Sequence, residues 1–181
     1  LLEAFGGATR ASLMTDRDRL YDTPALNEAI SRRLKREPLQ YILGEWEFFG
    51  SPFTVNEHCL IPRPDTECVT EAAISRCPDG GRVLDLCTGS GCIGLAIASR
   101  VKDAKVTLAD ISKDALEVAK KNIARNKMTG RVSCIQADAF QKPSAFLGKF
   151  DLIVSNPPYI TRQEMEELPL SVSDYEPHLA L

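Results

Sequence analysis

The sequence predicts an α/β chain, a parallel and doubly wound sheet preceded by a small helical region and a β-hairpin. Three observations predict it. From Gly80 onward, short apolar runs of strand type alternate with segments of helical periodicity, as in strand-helix-strand units. The first run gives way to Gly89, Gly91 and Gly94 in G-x-G-x-x-G spacing, the bend by which such a strand enters a helix. Asp85, Asp110 and Asp138 end successive runs, at the carboxyl edge of a parallel sheet where ligands bind.

The elements follow in order. Thr23 is a good N-cap with Pro24 at the first helical position, and Leu26, Ile30 and Leu34 at a spacing of four predict one apolar helix face. That helix is expected to end at Glu37-Pro38, because the residue before proline avoids helical geometry. Trp46 and Phe48 alternate with Glu45 and Glu47, and Phe53 and Val55 flank Thr54, which predicts a hairpin with Gly50-Ser51-Pro52 between its runs. After the break at Pro62 and Pro64, a helix is expected from Pro64 to about Ser75, with Asp65 and Glu67 in its first turn. Sheet strands are read at 82–85, 106–109, 132–135 and 151–154, with helices between the first three. The helix after Asp110 is the clearest. Ser112 can cap it, Asp114 sits in its first turn, Leu116, Ala119 and Ile123 form its core stripe, and Lys120, Lys121 and Arg125 suit its C-terminal half.

Composition narrows the function classes. A chain of 181 residues, 44% of them hydrophobic, can bury a real core, and no run approaches the roughly 20 apolar residues that cross a bilayer. Without a signal peptide at its start, a cytoplasmic setting is expected. The six cysteines form no C-x-x-C pair and only two histidines accompany them, so neither a metal site nor disulfides are expected, and the cysteines are read as buried thiols. A net charge of -3 speaks against nucleic acid as main partner. The absence of an initiating methionine and the abrupt stop at Ala180-Leu181 suggest an incomplete chain.

Two motifs carry chemistry. Glycines in the 85–94 bend let backbone approach a ligand, while the helix N-terminus offers unpaired N–H groups. Asp110 is placed to hold both hydroxyls of a ribose and Asp138 to meet a base; a nicotinamide dinucleotide and S-adenosylmethionine would both be served. Asn156-Pro157-Pro158-Tyr159, at the end of the fourth strand, points to transfer onto a planar nitrogen. The two N–H groups of an amide or aromatic amine can donate to the Asn156 side-chain oxygen and the Pro157 carbonyl, which directs the nitrogen lone pair. Tyr159 offers a flat wall, and the two prolines stiffen the loop. No metal and no catalytic histidine is needed.

With these motifs the chain resembles the class I S-adenosylmethionine methyltransferases that act on amide or exocyclic nitrogen. Arg36 to Gly44, Trp46 to Gly50, and Leu60 to Glu67 narrow the resemblance to the release-factor glutamine methyltransferases, the HemK/PrmC family. The resemblance implies a Rossmann-like sheet, here apparently truncated after the fourth strand, and three parts: a partial helical substrate-binding region at 1–38, a hairpin linker at 39–64 and the methyltransferase domain at 65–181. It implies S-adenosylmethionine held by Asp85, by the Cys87, Thr88, Gly89, Ser90 and Gly91 loop, by Asp110, by Asp138 with Ala139, and by Asn156. It implies catalysis by Asn156, Pro157, Pro158 and Tyr159, and a substrate roof of Arg63, Pro64, Thr66 and Glu67 beside Asn156 and Tyr159. The implied partner is a peptide chain release factor, methylated on the glutamine of its Gly-Gly-Gln motif. Two alternatives remain: methylation of adenine or guanine amino groups in nucleic acid, and an inactive cofactor-binding fragment. Cys87 stands where the family usually has glycine, the helical region is shorter than the family's, and Tyr175 to Leu181 resembles the start of a segment that normally continues into further strands.

Overall fold

The computed structural model describes residues 1–16, 18–143 and 147–181. Four helices come first: α1 (Leu2–Phe5), α2 (Arg10–Thr15), α3 (Pro24–Leu34) and α4 (Leu39–Leu43). Thr23 caps α3 as expected, its hydroxyl accepting from the Leu26 amide at 3.1 Å. The stripe expected along α3 is corrected. Leu26 and Ala29 are buried, whereas Ile30 is exposed and Leu34 is 79% exposed. The reason is packing direction: α3 rests on α1 and α4, and the spacing of three from Leu26 to Ala29 faces them. The segment after Pro38, read from sequence as linker, opens with helix α4, which packs on α3 and on the hairpin.

The hairpin is β1 (Glu45–Phe48) and β2 (Ser51–Thr54), with Phe48 opposite Ser51. Its two-residue turn is Phe49-Gly50, both at positive φ, the primed turn whose twist matches the strands. Ser51 and Pro52, expected in the turn, therefore belong to β2. Phe48, Phe53 and Val55 turn inward and are fully buried.

The rest is α5 (Asp65–Arg76), β3 (Arg82–Leu86), α6 (Cys92–Arg100), β4 (Lys105–Asp110), α7 (Lys113–Arg125), β5 (Val132–Gln136), β6 (Leu152–Ser155), α8 (Arg162–Met165) and α9 (Leu170–Ser173), closed by a 3-10 turn at His178–Ala180. The four sheet strands are parallel, in the order β5-β4-β3-β6. One sheet face carries Val83, Val106, Val132 and Val154 into the core. Helix α6 is buried from Cys92 to Ala98 because it is covered by the sheet and by α5, with Phe48 and Phe53 of the hairpin in the same core. Removing Ile93, Leu95 or Ile97 from water stabilises by roughly 1.5–3 kcal/mol each before entropic losses. Helix α7 buries Leu116, Ala119 and Ile123 as expected, with Ala115, Val118 and Asn122 beside them.

Gly94 makes the close packing of α6 possible. A Cβ there would meet Leu108 Cδ2 at 2.3 Å and Val106 Cγ1 at 2.9 Å, so any larger residue must push the helix off β4. Of the cysteines expected to be buried, Cys59 and Cys92 are; Cys77, Cys87 and Cys134 are half-buried and Cys68 is exposed on the outer side of α5. Among the described residues, no helix is long and apolar enough to cross a membrane, and no group of three or more His, Cys, Asp or Glu side chains is placed to hold a metal.

Candidate active site

Parallel strands place their carboxyl ends together, and the turns after β3, β4 and β6 meet there around one cavity. Cys87, Thr88, Gly89 and Ser90 form its floor, Asp110, Ile111 and Ser112 one wall, Asn156 and Pro158 another, and Pro62, Arg63 and Thr66 a roof. Pro177, Leu179 and Ala180 complete the rim.

The floor is held from beneath by Asp85, which is fully buried. Its Oδ2 accepts from the Thr88 hydroxyl at 2.6 Å and from the Gly94 amide at 2.9 Å, while Oδ1 has no partner. Burial drives its pKa up from 3.8 to about 6; the Thr88 and Gly94 bonds pull it back, and repulsion from Asp110 adds to the rise. Asp85 thus shapes the loop and does not line the cavity. Cys87 holds φ +59°, a left-handed conformation that only glycine adopts without strain. Its thiol, half-buried, is pushed up in pKa by loss of solvent. Gly91 caps α6 at φ +83°, and a Cβ there would stand 2.9 Å from Leu108, so its part is packing.

Asp110 faces the cavity with both oxygens fixed. Oδ2 accepts from the Gly89 amide and Oδ1 from the Ser112 amide, each at 2.9 Å. Each oxygen keeps a lone pair for a ligand hydroxyl. Asn156 lines the opposite wall, and its amide nitrogen donates to the Thr66 hydroxyl at 3.4 Å. That contact turns the Asn156 side-chain oxygen away from Thr66, free to accept.

Several residues expected at the site stand elsewhere. Asp138 Oδ1 accepts from the amide of Phe140, closing its own turn, and neither it nor the exposed Ala139 lines the cavity. Glu67 is committed to the hairpin, accepting from the Phe49 amide at 2.8 Å, and Pro64 is exposed at the start of α5. Pro157 is exposed, and the Tyr159 ring is 78% exposed outside the cavity lining. Arg63 does reach the roof, but its guanidinium donates to Glu176 at 2.5 Å. Two contributors were not visible in the sequence: Glu176, and Asn122 of α7, whose side chain joins Thr54 of the hairpin to the Ser90 carbonyl under the floor.

Residues 67–169 match the model of the methyltransferase small domain, and residues 1–44 that of the PrmC N-terminal domain. The release factor glutamine methyltransferase of Chlorobaculum tepidum is 43% identical over 97% of this chain and 64% of its own length. That of Geobacter sulfurreducens is 41% identical over 100% of this chain and 63% of its own. The chain therefore spans somewhat under two thirds of the length of these relatives. Among solved structures, a SAM-dependent methyltransferase from Thiobacillus denitrificans in complex with S-adenosyl-L-homocysteine superposes with a TM-score of 0.43 at 30% identity, over 51% of this chain and 36% of that one.

Proposed function

We propose, from the premise that this chain belongs to the methyltransferase small domain family, that it binds S-adenosylmethionine and methylates the side-chain amide of a glutamine in peptide chain release factors, in their Gly-Gly-Gln motif. The observation that carries the reading is the juxtaposition of Asp110 and Asn156 on opposite walls of one cavity.

The residues present fit the cofactor. The carboxylate of Asp110 can take the two ribose hydroxyls, Ile111 offers an apolar surface to a base, and the Thr88 to Ser90 backbone lies open to the amino-acid part. The buried Asp85 carboxylate behind that backbone gives the floor a negative potential, which favours a positively charged ligand group. When bound, the cofactor supplies an electrophilic methyl on a sulfonium that departs as a neutral thioether. The chain's own work is orientation. A glutamine amide nitrogen is a poor nucleophile because its lone pair is delocalised. Donation of its N–H groups to the Asn156 oxygen and the Pro157 carbonyl holds that lone pair on the methyl's path, and the Thr66 hydroxyl holds the other end of the Asn156 amide from the roof. The proton leaves from nitrogen after transfer, so no strong base is required.

Access favours glutamine over a nucleobase. A side chain on an exposed loop can enter beneath the roof, whereas a base must first leave its stack at a cost of a few kcal/mol, and a net charge of -3 offers little phosphate attraction in return.

The test incubates the chain and labelled S-adenosylmethionine with a release factor, its Gln→Ala variant and duplex DNA in parallel. Label is expected in the parent release factor alone; label in DNA, or in the variant as readily as the parent, would overturn the reading. Asn156→Ala is expected to lower transfer by about a hundredfold while S-adenosylhomocysteine still binds, since it loses a positioning group. Asp110→Ala is expected to do the reverse, weakening calorimetric affinity by about tenfold or more through loss of charge-assisted bonds.

A further inference from the structure

We infer that Glu176 is a positioning residue for this site, a buried strut that sets the place of the Asn156 to Tyr159 loop against the roof. The inference rests on the reading above for its catalytic meaning and on geometry for its existence.

The Glu176 side chain is only 1% exposed, a position a carboxylate occupies at high cost unless paired. Both its oxygens are used, and both by the roof: Oε1 by the Arg63 guanidinium at 2.5 Å and Oε2 by the Ile61 amide at 3.1 Å. From Glu176 the chain runs along the cavity rim through Pro177, Leu179 and Ala180 to Leu181. There the backbone oxygen of Leu181 accepts from the amides of Tyr159 and Ile160, each at 3.0 Å. The loop returns to the roof through Asn156 and Thr66. A closed ring of contacts thus surrounds the mouth, and among the described residues Glu176 with Arg63 is its charged joint between rim and roof. The preceding residue extends the same connection to the helical region, since the Tyr175 hydroxyl donates to the Lys35 carbonyl at 2.6 Å at the end of α3. Roof, loop and helical region are therefore referred to one rim segment, and a displacement of Glu176 reaches Asn156 without touching it.

Amide hydrogen exchange reads the strut without any turnover. In Glu176→Ala, protection of the Tyr159 and Ile160 amides is expected to fall about tenfold or more, while Val106 and Leu108 in the sheet stay protected and report an intact fold. Glu176→Gln keeps an acceptor for the Ile61 amide and the same volume, so it should retain most of that protection. Arg63→Ala, which strands the carboxylate, should behave like Glu176→Ala, and the double variant should be no worse than either. In the methyl-transfer assay the same variants are expected to lose more in kcat than in KM for the release factor, the mark of misorientation. Unchanged exchange at Tyr159 and Ile160 in Glu176→Ala would overturn the strut. Lost protection in the variant, beside a parent chain that methylates no release factor, would support the strut and sink the assigned reaction instead.

Discussion

Asp85 shows how a single side chain serves the site by being hidden from it. Its carboxylate hydrogen-bonds Thr88 and Gly94 and so fixes the loop under the cavity, at the cost of a raised pKa of about 6. A group whose folded pKa lies above its unfolded value takes up a proton on folding. Its contribution is fully present below about pH 4 and is lost as pH rises through about 6. Asp85→Asn removes the titration and nearly preserves the shape. Relative to this variant, the parent chain is expected to lose stability progressively between about pH 4 and pH 6, and to stay at a constant offset above that. Urea denaturation of both at pH 4, 5, 6 and 7 measures it; a difference that does not change with pH would show that Asp85 is not protonated in the folded chain.

At the scale of elements, the stability of the hairpin against α7 hangs on Asn122. This fully buried amide accepts from the Thr54 amide at 2.7 Å and donates to the Thr54 carbonyl at 3.0 Å and the Ser90 carbonyl at 2.9 Å. Asn122→Ala leaves the half-buried Thr54 amide and carbonyl and the buried Ser90 carbonyl unpaired and is expected to cost about 2–3 kcal/mol. Asn126→Ala, one turn along and half-buried, removes bonds to the Pro52 carbonyl at 3.2 Å and the Asn122 carbonyl at 3.0 Å and should cost less, about 1 kcal/mol. Equal losses in denaturant titrations would mean that the seam is not where the energy lies. What was legible in the sequence divides along the same line. The sheet, the α7 stripe, the glycine bend and the Asp110 and Asn156 positions follow from local periodicity and from motifs read within a few residues. Asn122, Thr66 and Glu176 act on partners 68, 90 and 115 residues away, and no local pattern announces such pairings. The exposed placement of Tyr159 is hidden for a related reason: a motif names residue types, while the loop that aims this ring is held by the distant Leu181.

For the molecule as a whole, the decisive feature is how the sheet ends. Strand β6 pairs with β3 alone among the described strands, and Ile153, in register with Leu84 and Thr107 along one sheet row, is 62% exposed. An edge strand with an open apolar side chain is a template for pairing with another chain. The 181-residue chain is therefore expected to self-associate as its concentration rises. Ile153→Lys places a charge on that edge, the device by which natural sheets discourage pairing, and should return the protein to a monomer. Because the side chain is mostly in solvent, the same substitution should change unfolding free energy by about 0.5 kcal/mol or less, which separates an effect on association from an effect on folding. Sedimentation velocity across a hundredfold range of concentration reads the first and urea denaturation the second. A parent chain that stays monomeric throughout would refute the edge argument. Self-association that survives Ile153→Lys would move it to another surface, where the exposed Met14, Leu20 and Leu34 of the helical region are the next apolar groups to test.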